Sequence, residues 1–183
     1  MTQTFHITIL GTSSVGKTSI VERYVSNIFK ETYDPTCENV KTKNIEMNNT
    51  ICHLEIHDTA GTDQFKTMRA TYIKNSSGFI LVFGFNILSS LIELEEFYYD
   101  VEEIRKDDCV IYLCGNKDDI QGSERVITEE QVEDFLKERQ MKYIKTSAKT
   151  GSNIDELFHQ LTSDLLEKYK KPEKSWWSWC NLL

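Results

Sequence analysis

The sequence lacks several features that would place it in a specialised class of protein. Its five cysteines form an odd set without a Cys-x-x-Cys pair, which argues against a disulfide framework. The N-terminus has neither the basic flank nor the apolar core of a signal peptide. The longest apolar run, FILVF, is far too short to span a bilayer. We therefore expect one globular domain in a reducing, cytosolic compartment.

Positive charge is also in deficit. The 21 lysines and arginines are outnumbered by 29 aspartates and glutamates, which gives a formal net charge of −8. This balance argues against general nucleic-acid binding, which depends on neutralising phosphates, and favours partners with basic patches. The four histidines are scattered. His53 and His57 share a strand face but lie roughly 13 Å apart at strand rise, too far to share a metal. We interpret the histidines as ordinary surface or packing residues.

Apolar strand-like segments alternate with helical patterns. FHITIL (5–10) is followed by a helical pattern, and MNNT reads as a hairpin turn between two alternating segments, 38–47 and 51–57. Further strands are predicted at GFILVFGF (78–85), CVIYLCG (109–115) and KYIKTS (142–147), which are apolar enough to be central parallel strands.

Helical signals fill the remaining intervals. TEEQ (128–131) is a capping box, and a single apolar stripe from Ile154 to Leu165 predicts a final helix. The alternation predicts an α/β fold, a doubly wound, mostly parallel six-stranded sheet flanked by about five helices. We place this domain at residues 1–168 and a separate tail at 169–183.

GTSSVGKT (11–18) matches the phosphate-binding pattern G-x-x-x-x-G-K-[ST] and lies between the first strand and the first helix. In such loops, backbone N–H groups and the helix N-terminus bind phosphate oxygens. Lys17 adds a cation at the outer phosphates, and Thr18 offers a hydroxyl to Mg²⁺. The candidate phosphate-binding residues are Gly11, Ser13, Ser14, Val15, Gly16, Lys17, Thr18 and Ser19.

Two further segments indicate which base is bound. NKDD (116–119) follows a buried strand, and its carboxylate can accept hydrogen bonds from two guanine donors that adenine lacks. TSAK (146–149) follows another strand, and its alanine N–H can donate to the guanine oxygen. The predicted base-binding residues are Asn116, Lys117, Asp119, Ser147, Ala148 and Lys149.

These motifs, together with YDPT, DTAG and the terminal CNLL, resemble those of the small GTPases of the Ras superfamily over essentially the whole chain. The resemblance implies a monomeric switch that binds GTP or GDP with Mg²⁺. It also implies three kinds of partner: a nucleotide-exchange factor, a GTPase-activating protein and effector domains. An ATP-using P-loop kinase is the alternative that NKDD and TSAK disfavour.

The resemblance also assigns the residues of the switch. Thr18, Thr36 and Asp58 become the Mg²⁺ ligands, while Thr36 and the Gly61 N–H hold the γ-phosphate. Phe29 packs on the guanine face, and Tyr33 joins the nucleotide site. Two loops held by one phosphate group form an order–disorder switch. The implied catalytic residues are Lys17, Thr36, Gly61 and Thr62.

Thr62 departs from most Ras relatives, which carry a water-orienting glutamine after this glycine. It resembles the Rap branch, where DTAGT is usual and the activating partner supplies an asparagine. We therefore expect very slow unaided hydrolysis, with Gln64 as a weaker candidate substitute. A side chain at Ser13 can obstruct an arginine finger, which favours an activating partner of another type. A binding module whose hydrolysis is idle is the alternative.

The effector segment also departs from Ras and Rap. Glu38 is kept, but Asn39 replaces a carboxylate and Lys41 replaces an aromatic residue. We expect an exposed strand edge with a shifted set of effectors, because the segment is less negative toward basic domains. The predicted effector residues are Tyr33, Asp34, Pro35, Thr36, Cys37, Glu38, Asn39, Val40 and Lys41.

The tail KYKKPEKSWWSWCNLL ends in a C-a-a-X pattern in which Cys180 is the prenylation candidate and Leu183 favours geranylgeranyl. One lipid is a marginal anchor, so a second signal is needed. Nearby lysines suit an anionic membrane surface, and three tryptophans suit the headgroup region. We expect attachment to the cytoplasmic face of a membrane, with the plasma membrane as the first expectation.

Overall fold

Strands and helices alternate along the part of the chain that the computed structural model describes, residues 2–31, 39–59, 66–139 and 141–170. The strands are β1 Thr2–Leu10, β2 Asn39–Met47, β3 Thr50–Asp58, β4 Gly78–Gly84, β5 Val110–Asn116 and β6 Lys142–Lys145. The α-helices in these ranges are α1 Lys17–Ser26, α2 Lys66–Asn75, α3 Leu88–Ile92, α4 Leu94–Arg105, α5 Glu129–Leu136 and α6 Ile154–Lys168.

The strands form one six-stranded sheet in the order β2-β3-β1-β4-β5-β6. Only β2 runs antiparallel to its neighbour, and the other pairs are parallel. The predicted doubly wound, mostly parallel six-stranded sheet is confirmed. The expectation of about five helices also fits, because only Glu93 separates the short α3 from α4.

The core has two layers, one on each face of the sheet. All seven residues of β4 are buried, as its continuous apolar run predicted. On one face, Leu54 of the sheet packs with α1 and α6, where the Tyr24 and Phe158 rings stack with centroids 3.8 Å apart. On the other face, Phe83 belongs to a cluster that includes Leu94 of α4 and other buried residues of α2 and α5. The sheet is therefore covered on both sides.

Local sequence signals predicted several boundaries correctly. Thr128 and Gln131 make both hydrogen bonds of the predicted capping box at the start of α5. Asn48 and Asn49 both have positive φ in the predicted hairpin turn between β2 and β3. The predicted start of β1 at residue 5 was three residues late. The strand begins at Thr2 because its polar first residues pair with β3 from Ile51 onward.

The strand order reverses at β1, whose neighbours are β3 on one side and β4 on the other. In open α/β sheets such a reversal opens a crevice at the carboxyl ends of the strands, where ligands bind. Within the described ranges, no helix has both the length and the apolar character that crossing a membrane requires. The last described helix ends at Lys168, and the division between domain and tail stays a prediction.

Candidate functional site

The phosphate-binding loop leaves β1 at the reversal point and runs close to the neighbouring strands. Gly11 has φ 145°, and a Cβ there would lie 2.3 Å from the Val82 carbonyl oxygen of β4. Gly16 has φ 96°, and a Cβ there would lie 2.4 Å from Nδ2 of Asn116 at the end of β5. Both positions therefore require glycine, for backbone conformation and for space. The intervening Ser13 and Ser14 are exposed.

Lys17 opens α1 with its side chain turned back into the loop. Its Nζ donates to the Gly11 and Thr12 carbonyl oxygens, both at 2.8 Å, and the residue is only 6% exposed. Burial lowers the pKa of the ammonium to about 8, and the nearby Asp58 carboxylate opposes this shift. The group is therefore a desolvated cation at neutral pH, and an anionic phosphate would stabilise its charged form.

Asp58, at the carboxyl end of β3, is buried next to the start of α1. Burial raises the pKa of its carboxyl group, while a hydrogen bond to the Thr18 side chain and the charge of Lys17 act in the opposite direction. Its Oδ1 is buried and has no hydrogen-bond partner among the residues described. Buried polar atoms are nearly always paired.

A carboxylate oxygen and a hydroxyl are ligands that Mg²⁺ accepts. The unpaired Oδ1 of Asp58 and the adjacent Thr18 therefore fit the predicted metal site. Thr36, the third predicted ligand, lies outside the described residues.

Asn116 connects three segments of the site. Its Nδ2 donates to the Val15 carbonyl oxygen at 2.8 Å. Its Oδ1 accepts the Ala148 N–H at 3.1 Å and the Thr146 hydroxyl at 3.3 Å. The side chain is 1% exposed. Asn116, which the sequence predicted to bind the base, thus also connects the phosphate loop to the TSAK segment. The predicted contact of the Ala148 N–H with a base stays a prediction.

The two base-binding segments meet at Asp119 and Ser147. The Ser147 hydroxyl donates to Oδ1 of Asp119 at 2.5 Å and accepts the Thr150 N–H at 3.1 Å. Asp119 is exposed, so it is accessible from solvent. Burial lowers the pKa of Lys117, with Asp119 opposing the shift. The structure therefore brings NKDD and TSAK together at one edge of the sheet.

Arg23 on α1 is hydrogen-bonded to the backbone of the TSAK segment. The sequence analysis did not predict this role. Its Nε donates to the Ala148 carbonyl oxygen at 2.8 Å, and Nη2 donates to the Lys149 carbonyl oxygen at 2.7 Å. Its guanidinium lies 5.9 Å from the centroid of the half-buried Phe29 ring. Nζ of Lys149 is also 3.7 Å from Oε1 of Glu31. No local pattern marks a contact that spans 125 residues.

Part of the predicted site falls outside the described residues, namely Tyr33, Asp34, Pro35, Thr36, Cys37, Glu38, Gly61, Thr62 and Cys180. The rest of the effector segment begins β2, which is an edge strand of the sheet. Asn39 and Val40 are exposed there, and Lys41 is half-buried. The exposed strand edge predicted for this segment is therefore present at residues 39–41.

Comparison with known protein families finds a match for this chain. The model of the Ras family matches residues 6–167, which is most of the 183-residue sequence. The match covers the phosphate loop, NKDD and TSAK and ends within α6.

Proposed function

The chain belongs to the Ras family of small GTPases, and from this premise we propose that it is a Rap-like switch with partner-assisted hydrolysis. As a family member it is a GTP hydrolase that binds GTP and GDP with Mg²⁺. It interacts with exchange factors, GTPase-activating proteins and effectors of the kinds that the family uses. Membership of this family excludes the alternative of an ATP-using P-loop kinase.

Different residues contact the phosphates, the metal and the base of the nucleotide. Lys17 presents its desolvated ammonium to the outer phosphates, and Asp58 with Thr18 would hold Mg²⁺, which neutralises negative charge on the phosphates. Asn116 and Arg23 hold the base-binding segments in place beside Asp119. Thr36 and Gly61 are the proposed γ-phosphate contacts that make the switch.

One observation carries the Rap-like proposal: Thr62 stands directly after the DTAG segment, where a glutamine would orient the attacking water. A threonine hydroxyl sits on a shorter arm and does not reach the same point. Unaided hydrolysis is therefore slow, and the partner supplies the missing group. The competing proposal is a GTP-loaded binding module whose hydrolysis is idle, and Thr62 and Ser13 leave it open.

The Thr62→Gln variant should hydrolyse GTP unaided at least about tenfold faster than the wild-type protein, since orienting the water lowers the barrier by about 1.4 kcal/mol or more. Single-turnover decay of bound GTP measures this directly. Ser123→Gln, at an exposed position outside the nucleotide-binding segments, is the matched control and should not change the rate.

The same assay with a Rap-type activating protein separates the two proposals. Acceleration of the wild-type protein by at least about 10³-fold, within the range that such partners supply, supports the switch. No acceleration by that protein or by cell extract favours the idle module. Wild-type decay as fast as that of glutamine-bearing relatives contradicts the role given to Thr62.

The effector set is shifted relative to standard Ras and Rap proteins. Asn39 and Lys41 make the start of β2 less negative, which weakens docking to basic domains. A standard Ras-binding domain should bind the GTP-loaded protein at least about tenfold more weakly than it binds a Rap protein, and Asn39→Asp with Lys41→Tyr should recover part of the loss. Equal affinity in a calorimetric titration contradicts this.

The tail attaches the protein to the cytoplasmic face of a membrane. Cys180 carries a geranylgeranyl group, assisted by Lys168, Lys170, Lys171 and Lys174 and by Trp176, Trp177 and Trp179. Cys180→Ser should move the protein from the membrane fraction to the supernatant, whereas Cys109→Ser should not. A Cys180→Ser protein that stays in the membrane fraction would refute lipid anchoring at this residue.

A further inference from the structure

Three potential metal ligands meet on the face of the sheet that α2 covers. His6 of β1 is the register partner of Glu55 in β3, and His57 lies two residues further along β3. Their ligand atoms all lie within 4.8 Å of one another. Nδ1 of His6 is 3.3 Å from Oε2 of Glu55, and the His6 and His57 rings stack with centroids 6.0 Å apart.

Two imidazole nitrogens and a carboxylate oxygen form a ligand set typical of zinc sites that keep one position open. Tetrahedral zinc with bonds of about 2.0–2.1 Å places its ligand atoms roughly 3.3 Å apart. The His6–Glu55 pair already has this separation. His57 is near enough to complete the set by side-chain rotation. Nitrogen ligands suit zinc and neighbouring transition metals, whereas Mg²⁺ and Ca²⁺ prefer oxygen alone.

The His57 ring has one nitrogen whose hydrogen-bonding capacity the neighbouring side chains do not satisfy. Its Nδ1 is buried without a hydrogen-bond partner in the described part of the chain. Buried polar atoms without a partner are rare in folded proteins, and a bound ion can supply the missing interaction. Tyr72 of α2 lies against the same ring, with centroids 5.1 Å apart. A metal bound through this nitrogen would pair it.

The surroundings of Glu55 resemble the outer shell of a metal site. Its Oε1 is 3.7 Å from Nε2 of His53, which is close but beyond hydrogen-bond range, and its Oε2 faces His6. His53 is in turn held by Asn44 of β2, with Nδ1 2.6 Å from the amide Oδ1. Metal-binding carboxylates usually have outer-shell partners, and His53, itself hydrogen-bonded to Asn44, lies where such a partner of Glu55 would be.

We propose that His6, Glu55 and His57 form a zinc site on the sheet beneath α2, separate from the Mg²⁺ site. Each of the three residues is half-buried, so the site has both a defined shape and access to solvent. A zinc ion there would join β1 to β3 next to α2. The proposal rests on side chains outside the nucleotide site and does not depend on the Rap-like assignment.

The test uses the full-length protein loaded with GDP in excess Mg²⁺, which keeps zinc away from the nucleotide. Calorimetric titration with Zn²⁺ should show one site per chain, and Co²⁺ should give the visible absorption bands of a tetrahedral complex. Zn²⁺ should also raise the Tm. His6→Gln and Glu55→Gln should each weaken zinc binding by at least about 100-fold, since loss of an outer-shell partner alone costs 10–100-fold.

His159→Gln, on the exposed face of α6, is the matched control and should bind zinc as the wild-type protein does. GDP affinity is measured in parallel and should be unchanged in all variants, which also shows that they fold. The proposal is overturned if wild-type protein binds no zinc, or if His6→Gln binds it equally well. Loss of zinc binding with normal GDP binding leaves the GTPase assignment intact.

Discussion

Replacing Asn116 with alanine is expected to weaken GDP binding by at least about 100-fold, which corresponds to about 2.7 kcal/mol. The side chain is buried and pairs with the Val15 carbonyl oxygen and the Ala148 N–H. Alanine leaves both groups without their partner, at a cost of about 1–3 kcal/mol each. The phosphate loop and the TSAK segment would also lose their common tie.

The rate of release of a fluorescent GDP analogue measures this effect, because lost affinity in a formed site is mostly faster dissociation. Asn75→Ala, at the exposed end of α2, is the control and should release the nucleotide at the wild-type rate. Urea unfolding of the nucleotide-free variant should show a loss of about 2–4 kcal/mol. If Asn116→Ala releases the GDP analogue at the wild-type rate, the contacts of Asn116 with the phosphate loop and the TSAK segment are not needed for nucleotide binding.

Replacing Lys17 with methionine is expected to separate nucleotide binding from stability. GTP and GDP affinity should fall by at least about 10³-fold, because the variant loses charge-assisted hydrogen bonds to phosphate in a buried site. The free energy of unfolding of the nucleotide-free protein should change by less than about 2 kcal/mol, because two opposing effects largely cancel.

The first effect is relief of a buried charge: the pKa of Lys17 is lowered to about 8 from 10.5, which is worth about 3 kcal/mol against the ammonium. The second is loss of the hydrogen bonds to the Gly11 and Thr12 carbonyl oxygens, each worth about 1.5–3 kcal/mol. Equilibrium binding and urea unfolding measure the two results, with Lys74→Met as an exposed control. A variant that binds GDP as tightly as the wild-type protein does would contradict the role given to this cation.

Sequence patterns predicted the features of this fold that are encoded locally. The apolar run of β4, the capping box at Thr128 and the asparagine turn at 48–49 each depend on neighbouring residues alone. The phosphate loop was also predictable, because its glycines, lysine and threonine lie in one short segment and their context is one strand and one helix.

Contacts between distant segments were not predictable in this way. The tie between Asn116 and Val15 spans 101 residues, and the contact between Arg23 and Ala148 spans 125. The meeting of His6 with His57 depends on the parallel register of β1 and β3. The sequence pattern compared only histidines of the same strand, which is why it placed none of them together. Register is set by packing of the whole sheet, which a single strand does not specify.

Both rims of the sheet carry lysines, on the outer strands β2 and β6. Lys41 and Lys43 lie along one rim, while Lys142 and Lys145 lie along the other, where the strand is only four residues long. Joining molecules rim to rim into a continuous ribbon would bring lysine side chains of both rims together, and edge lysines are one way in which proteins oppose such pairing. The lysines on the outer strands therefore disfavour growth of the sheet from one molecule to the next, which is the risk that strand edges carry.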